Sequence, residues 1–203
     1  MGSDGSTRRI TGPLDRATAR GLRVGEEVRV DGVIWGLRDA TLIRMFDHGD
    51  LPPVDLTGAI LLHVAPSVRR NPDGSFHAVS VGTTTSMRMD RFTQGCVQQL
   101  GALAIVGKGG LSAHSAALLT DAGAAYLSIV GGAASPETLQ VEAIEEVHFE
   151  DLWPECLWKF RVRDFGPLFV SMDSTGASAY EQVQRRAEQR RTEAERLLGL
   201  GDR

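Results

Sequence analysis

One segment constrains the fold more than any other. Residues 103–106 (Leu-Ala-Ile-Val) form a short apolar run, residues 107–110 (Gly-Lys-Gly-Gly) turn the chain, and Ser112 stands ready to cap a helix over 113–121. A second apolar run, 125–130, follows at once. Strand, glycine-rich turn, capped helix and strand in succession is the pattern of an α/β domain. The rest of the chain continues it. Residues 59–64 are a continuous apolar run bounded by Gly58 and Pro66, which suits a buried strand. Residues 76–81, 141–149, 158–162 and 168–172 read as further strands, with a turn at Asn71-Pro72-Asp73-Gly74. Asp31-Gly32 between residues 27–30 and 33–35 signals a hairpin. Asp39 is placed as the cap of a helix carrying Leu42, Ile43, Met45 and Phe46, which ends before Leu51-Pro52-Pro53. Asp90 is placed as the cap of a helix carrying Phe92, Cys96, Val97 and Leu100. Gly131-Gly132 and Pro136 break the pattern.

The expectation is a flexible leader over residues 1–12, rich in Gly, Ser and Thr, then an α/β domain with a mixed sheet over 13–176. A helical tail over 177–203 completes the chain, with Tyr180, Val183, Ala187, Ala194 and Leu197 on one face.

Composition removes several functions. The net charge is −4 with no clustered basic block, which argues against nucleic acid as a partner. No apolar run approaches the ~20 residues of a membrane span, and residues 1–9 lack an apolar signal core. A cytoplasmic protein is expected. The two cysteines, Cys96 and Cys156, cannot supply the thiolates of a cluster or a structural zinc, and Cys96 sits at core spacing. The five histidines (48, 63, 77, 114 and 148) show no metal-ligand spacing, and His63 and His148 read as structural. Trp153 and Trp158 read as core or subunit-contact residues.

Two turns carry the candidate chemistry. Residues 80–90 place Thr83, Thr84 and Thr85 between Gly82 and Arg88, offering backbone N–H groups, hydroxyls and a guanidinium fork to a carboxylate. The turn Gly107, Lys108, Gly109, Gly110 precedes a helix N-terminus, where an anion is favoured. Together they suggest a site for a small, doubly negative acid. Each alone also reads as an ordinary polar or glycine-rich turn. Arg38, following a strand, reads by itself more readily as a solvated or salt-bridging arginine.

Several collinear stretches then point one way: residues 23–28 (Arg-Val-Gly-Glu-Glu-Val), 37–39 (Leu-Arg-Asp), 80–89 (Ser-Val-Gly-Thr-Thr-Thr-Ser-Met-Arg-Met), 106–110, 141–148 and 164–173. In this order the chain resembles the β subunits of the iron–sulfur-dependent tartrate dehydratases and class I fumarases, the L(+)-tartrate dehydratase branch most of all. The resemblance runs over residues 20–176. It implies a swivelling β/β/α domain that closes over substrate. It also implies a 4Fe–4S cluster held by a separate α subunit, in an assembly of two α and two β chains, and none bound by this chain alone. The activity implied is loss or gain of water on a small hydroxy-dicarboxylate: L-tartrate to oxaloacetate first, malate and fumarate second. A swivelling domain that binds a dicarboxylate without catalysis is the reading from another class.

Carried over by position, Arg38, Arg88 and Lys108 match the family's carboxylate clamps. Thr84 matches its proposed base, and Thr85, Gly107 and Gly109 flank the substrate. The three cations are expected to face one cleft without acids among them. The sequence departs from the family at three points. Leu42 stands where a histidine is usual four residues after the clamp arginine, Thr83 replaces a proline, and Ala65-Pro66 replaces Gly-Pro. Losing the histidine removes a donor, and losing the proline loosens the turn around Thr84.

Overall fold

The computed structural model describes residues 7–132 and 134–198. Its strands are β1 (Arg8–Gly12), β2 (Glu27–Leu37), β3 (Ile60–His63), β4 (Ser67–Arg70), β5 (Phe76–Ser80), β6 (Ala104–Gly107), β7 (Ala125–Ile129), β8 (Val141–His148) and β9 (Leu157–Met172). The helices are α1 (Arg16–Arg20), α2 (Asp39–Phe46), α3 (Ala113–Ala122), α4 (Ala134–Leu139) and α5 (Ala179–Leu197). Between β5 and β6 the chain coils as a 3₁₀ segment, Ser86–Phe92, and a π segment, Gly95–Gln99.

The sheet order is β1-β2-β3-β6-β7-β9-β8, with β2 also pairing β9. Strands β2, β3, β6, β7 and β9 therefore close on themselves. Neighbours β2, β3, β6 and β7 run parallel, and β9 runs antiparallel to both β2 and β7. Closure depends on the length of β9: Leu168 and Phe169 pair with Val28 and Glu27 on one side and with Ile129 and Ser128 on the other. The result is an α/β architecture with a mixed sheet, as expected.

Alternation along the strands explains the continuous apolar runs. Ile60, Leu62 and Val64 point into the barrel with Val106, Leu127, Trp158 and Phe160. Leu61 and Ile105 point outward against Leu42, Met45, Phe92, Cys96 and Leu119 of the covering helices. A strand buried on both faces has no polar side to show. Each large side chain so enclosed contributes roughly 1.5–3 kcal/mol.

Several expectations need correction. Asp31-Gly32 makes no hairpin, because β2 runs straight through it. Gly32 has φ +90° at a register irregularity against β9. At this point β2 leaves β1, which it pairs over residues 28–32, and next pairs β3 over 35–37. A Cβ on Gly32 would lie 2.6 Å from the Gly12 carbonyl oxygen, so glycine serves a close backbone approach. The strands expected at 158–162 and 168–172 are one strand, bent where Asp164 and Gly166 take positive φ. Pro136 lies inside the first turn of α4, where its missing N–H leaves no helical bond unmade. Residues 8–12 of the expected leader are an edge strand parallel to β2, while residues 1–6 lie outside the described residues. β4, too polar to read as a strand, pairs β5 in a separate two-stranded ribbon.

The tail helix α5 is capped by Ser178, which accepts from Glu181 N. Its first turn docks through Tyr180 against Gly110 and Tyr126. Beyond that turn, Val183 and Leu197 of the expected apolar face are 64% and 73% exposed.

Candidate functional site

The parallel strands bring their C-terminal ends together, where crevices of α/β sheets take ligands. Arg38 follows the last residue of β2. Leu37, just before it, pairs with His63, the last residue of β3. Lys108 follows the last residue of β6. The Thr83–Ser86 segment crosses these ends and is tied to both neighbours. Thr84 N donates to the His63 carbonyl at 2.9 Å, Ser86 N donates to the Lys108 carbonyl at 2.9 Å, and Lys108 N donates to the Thr84 carbonyl at 3.4 Å. Thr84 is half-buried and Thr85 exposed. Thus Arg38, the Thr84-Thr85 pair and Lys108, far apart in the chain, arise within one pair of strand widths.

The charges correct one expectation: acids sit among the cations. Asp39 Oδ2 lies 2.9 Å from Arg38 Nε and 3.2 Å from an Arg88 terminal nitrogen, joining the two guanidinium groups. Glu155 Oε1 is 3.4 Å from Arg38 Nε. Asp39 consequently does not cap α2. The cap position is Arg38, without a side-chain bond, and Glu155 instead accepts from Ala40 N at 2.7 Å. The Arg88 side chain is 52% exposed, so its ion pair with Asp39 stands open to solvent. Lys108 makes no ion pair within 4.0 Å among the described residues. Its side chain runs beside Gly131, and its charge is felt by Glu137.

Beneath the crossing segment lies a buried polar chain. Gly110 N donates to the Tyr126 hydroxyl at 3.3 Å, Tyr126 donates to Ser86 Oγ at 2.9 Å, and Ser86 Oγ meets His63 Nδ1 at 2.9 Å. Burial lowers the His63 pKa to about 4, against a smaller opposing pull from Asp39, so the ring is neutral near pH 7. Burial likewise pushes the Tyr126 phenol up. Gly107 makes the chain possible, since a Cβ there would stand 1.8 Å from Ser86 Oγ. Gly109 takes φ +82°, and a Cβ added there would meet only the Thr85 methyl, at 3.4 Å.

A second buried contact holds the other end of the segment. Thr83 Oγ1 donates to Glu137 Oε2 at 2.9 Å, and Val81 N donates to the Thr138 hydroxyl at 2.8 Å. Burial raises the Glu137 carboxyl, while the Thr83 bonds and the Lys108 charge lower it. Where proline would have stiffened the turn, a hydroxyl–carboxylate bond ties it to α4. Asp90 also works away from its expected place. It accepts from Ser112 N and Oγ at 2.8 and 2.7 Å, while Ser112 caps α3 by accepting from Ser115 N.

His63, Ser86, Tyr126, Asp39, Glu155 and Glu137 are the site neighbours that sequence reasoning missed or placed elsewhere. Ser86 adjoins the threonine run, and a histidine closing an apolar strand is itself a signal. Nothing local marks Glu137 as the partner of Thr83. Trp158 is buried and Trp153 half exposed, edge-on to each other. His148 pairs with Glu146 at 3.2 Å.

Among the described residues no three His, Cys, Asp or Glu side chains gather as a metal site. Cys96 and Cys156 are both buried, with thiols pushed up to about 12 and about 11. These residues do not fit an iron–sulfur cluster. No helix among the described residues is long and apolar enough to cross a membrane.

Comparison with known proteins adds three relatives and a family. A family described as "Fumarase C-terminus" matches residues 7–183. "L(+)-tartrate dehydratase subunit beta" of Escherichia coli (strain K12) is 38% identical over 173 residues, covering 82% of this chain and 83% of the relative. "Putative L(+)-tartrate dehydratase subunit beta" of Methanocaldococcus jannaschii is 34% identical over 192 residues, covering 92% and 96%. "Putative fumarate hydratase class I" of Geobacillus stearothermophilus is 34% identical over 189 residues. That match takes in 91% of this chain but only 36% of the longer protein.

Proposed function

Because this chain belongs to the fumarase C-terminus family, we propose that it serves as the β subunit of an iron–sulfur-dependent hydro-lyase, with L-tartrate as substrate and oxaloacetate and water as products. The observation that carries the reading is the joining of Arg38 and Arg88 through Asp39 at the strand ends where Thr84 and Lys108 interlock. A guanidinium fork matches the two oxygens of a carboxylate, and Lys108 adds a compact charge for a second one. Asp39 holds both arginines in place before substrate arrives, so less side-chain freedom is lost on binding.

Thr84 is assigned to proton transfer at carbon. A threonine hydroxyl is a weak base, and it would need a cation brought close to it to favour the anionic form. Thr85, Gly107 and Gly109 shape the floor: Gly107 admits Ser86, and Gly109 leaves the turn open beside Thr85. A cluster-bearing α chain, in an assembly of two α and two β chains in the cytoplasm, would supply the Lewis acid that this chain lacks. The relatives named as tartrate dehydratase β subunits favour tartrate. The relative named as a fumarate hydratase favours malate and fumarate as the second reading.

The test is a set of clamp variants in the anaerobically assembled complex. Arg38→Ala, Arg88→Ala and Lys108→Ala should each raise KM for a hydroxy-dicarboxylate and lower kcat/KM, without preventing assembly. Unchanged kinetics in all three would remove the proposed site.

A further inference from the structure

Resting on the proposed hydroxy-dicarboxylate site, a further assignment follows from the ring that the sequence marked only as structural. His63 is 2% exposed, yet only one of its nitrogens is accounted for. Nδ1 bonds Ser86, while Nε2 has no hydrogen-bond partner among the described residues. No sealed side-chain nitrogen or oxygen among the described residues lacks a partner, so Nε2 keeps a small opening to solvent. The tautomer is fixed from behind. Gly110 N donates to Tyr126, Tyr126 donates to Ser86 Oγ, and Ser86 is left to donate its own proton to Nδ1. In that arrangement, in which every hydroxyl proton of the chain is used, the ring proton sits on Nε2.

The ring is also placed where substrate would lie. The His63 carbonyl holds Thr84 N, its Cα neighbours Leu37 just before Arg38, and the charge of Asp39 reaches the ring. A second carboxylate is disfavoured beside Asp39, and in the proposed site the arginines and Lys108 take the carboxylates already. A hydroxyl is neutral, accepts from Nε2–H, and can donate to Asp39 in return. We propose that His63 is a specificity-determining residue whose Nε2–H donates to a substrate hydroxyl, selecting a dihydroxy over a monohydroxy dicarboxylate. A donor that loses its partner when the hydroxyl is missing discriminates strongly against the smaller acid.

The experiment compares kcat/KM for L-tartrate and malate in the assembled complex. His63→Phe should lower the tartrate-to-malate ratio about ten- to hundredfold. His63→Gln, which keeps an N–H near the Nε2 position, should recover part of it. If His63→Phe fails to assemble, His63→Gln and Tyr126→Phe carry the same comparison. Tyr126→Phe, which frees the tautomer, should shift the ratio in the same direction. Imidazole ¹⁵N spectra of the free chain, read without any turnover, should show His63 protonated at Nε2 and unprotonated at Nδ1. The opposite tautomer, or a ratio unmoved by His63→Phe while both rates are retained, overturns the assignment of His63 alone. A wild-type complex inert toward both acids overturns the functional reading and this inference with it.

Discussion

Replacing Gly107 by alanine should unfold much of what holds the site. The new Cβ would stand 1.8 Å from Ser86 Oγ, with Ser86 Cβ and the Tyr126 hydroxyl both at 3.2 Å. Non-bonded atoms need roughly 3.5 Å, so Ser86 must move by well over 1 Å. His63 Nδ1 and the Tyr126 hydroxyl, both buried, then lose their shared partner. Each orphaned group costs about 1–3 kcal/mol, and the forced repacking costs about 1–3 more. After partial relaxation a loss of about 3–6 kcal/mol is expected, a large part of the ~5–15 kcal/mol that keeps a domain folded. Urea unfolding of the two chains measures it directly. Gly109→Ala is the control. Its Cβ meets only Thr85 at 3.4 Å, leaving the left-handed backbone cost of about 1–2 kcal/mol. A double-mutant cycle with Ser86→Ala should show coupling above about 1 kcal/mol, because the worst contact disappears with the hydroxyl. Equal losses for Gly107→Ala and Gly109→Ala, or no coupling to Ser86, would refute the buried-chain argument.

Three further outcomes are expected. His63 has a folded pKa near 4 against an ordinary 6.5, so the unfolded chain binds the extra proton between these values. Stability should therefore fall as pH drops from about 6.5 to 4, by about 3 kcal/mol, and His63→Phe should flatten that part of a stability-versus-pH curve. Glu137 has a raised pKa, so its contribution is full at acid pH and lost as pH climbs past the ordinary carboxylate range. Glu137→Gln should accordingly raise the urea midpoint at pH 7. Arg88→Lys should change the stability of the free chain by less than about 1 kcal/mol, since a half-exposed ion pair is weak. The same substitution should still raise KM in the assembled enzyme, because the planar fork is lost.

The sequence made the covering architecture legible wherever one rule acted locally. The apolar runs at 59–64 and 103–106 needed both faces buried, and Ser112 needed only its own helix to act as a cap. Legibility failed where a distant partner decided the outcome. Asp31-Gly32 has the chemistry of a turn, but pairing to β1, β3 and β9 keeps the strand extended and turns the glycine into a point of close approach. Asp39 and Asp90 have the chemistry of caps, but each finds a stronger partner outside its helix, two arginines for one and Ser112 for the other. The clamp positions were visible as types and spacings. Their neutralising acids were not, because Glu155 lies 117 residues beyond Arg38. Thr83 looked like a loosened turn until Glu137 appeared across the fold as its acceptor.

The central claim is that this chain supplies carboxylate clamps to a cluster held elsewhere. The most direct measurement is anaerobic turnover of L-tartrate and malate by three preparations: the chain alone, its co-expressed cluster-bearing partner alone, and the two together. The expected result is silence from each chain alone and oxygen-sensitive release of water by the co-purified complex, fastest with L-tartrate. Turnover by this chain without a partner, or a stable complex inert toward every hydroxy-dicarboxylate tried, would contradict it.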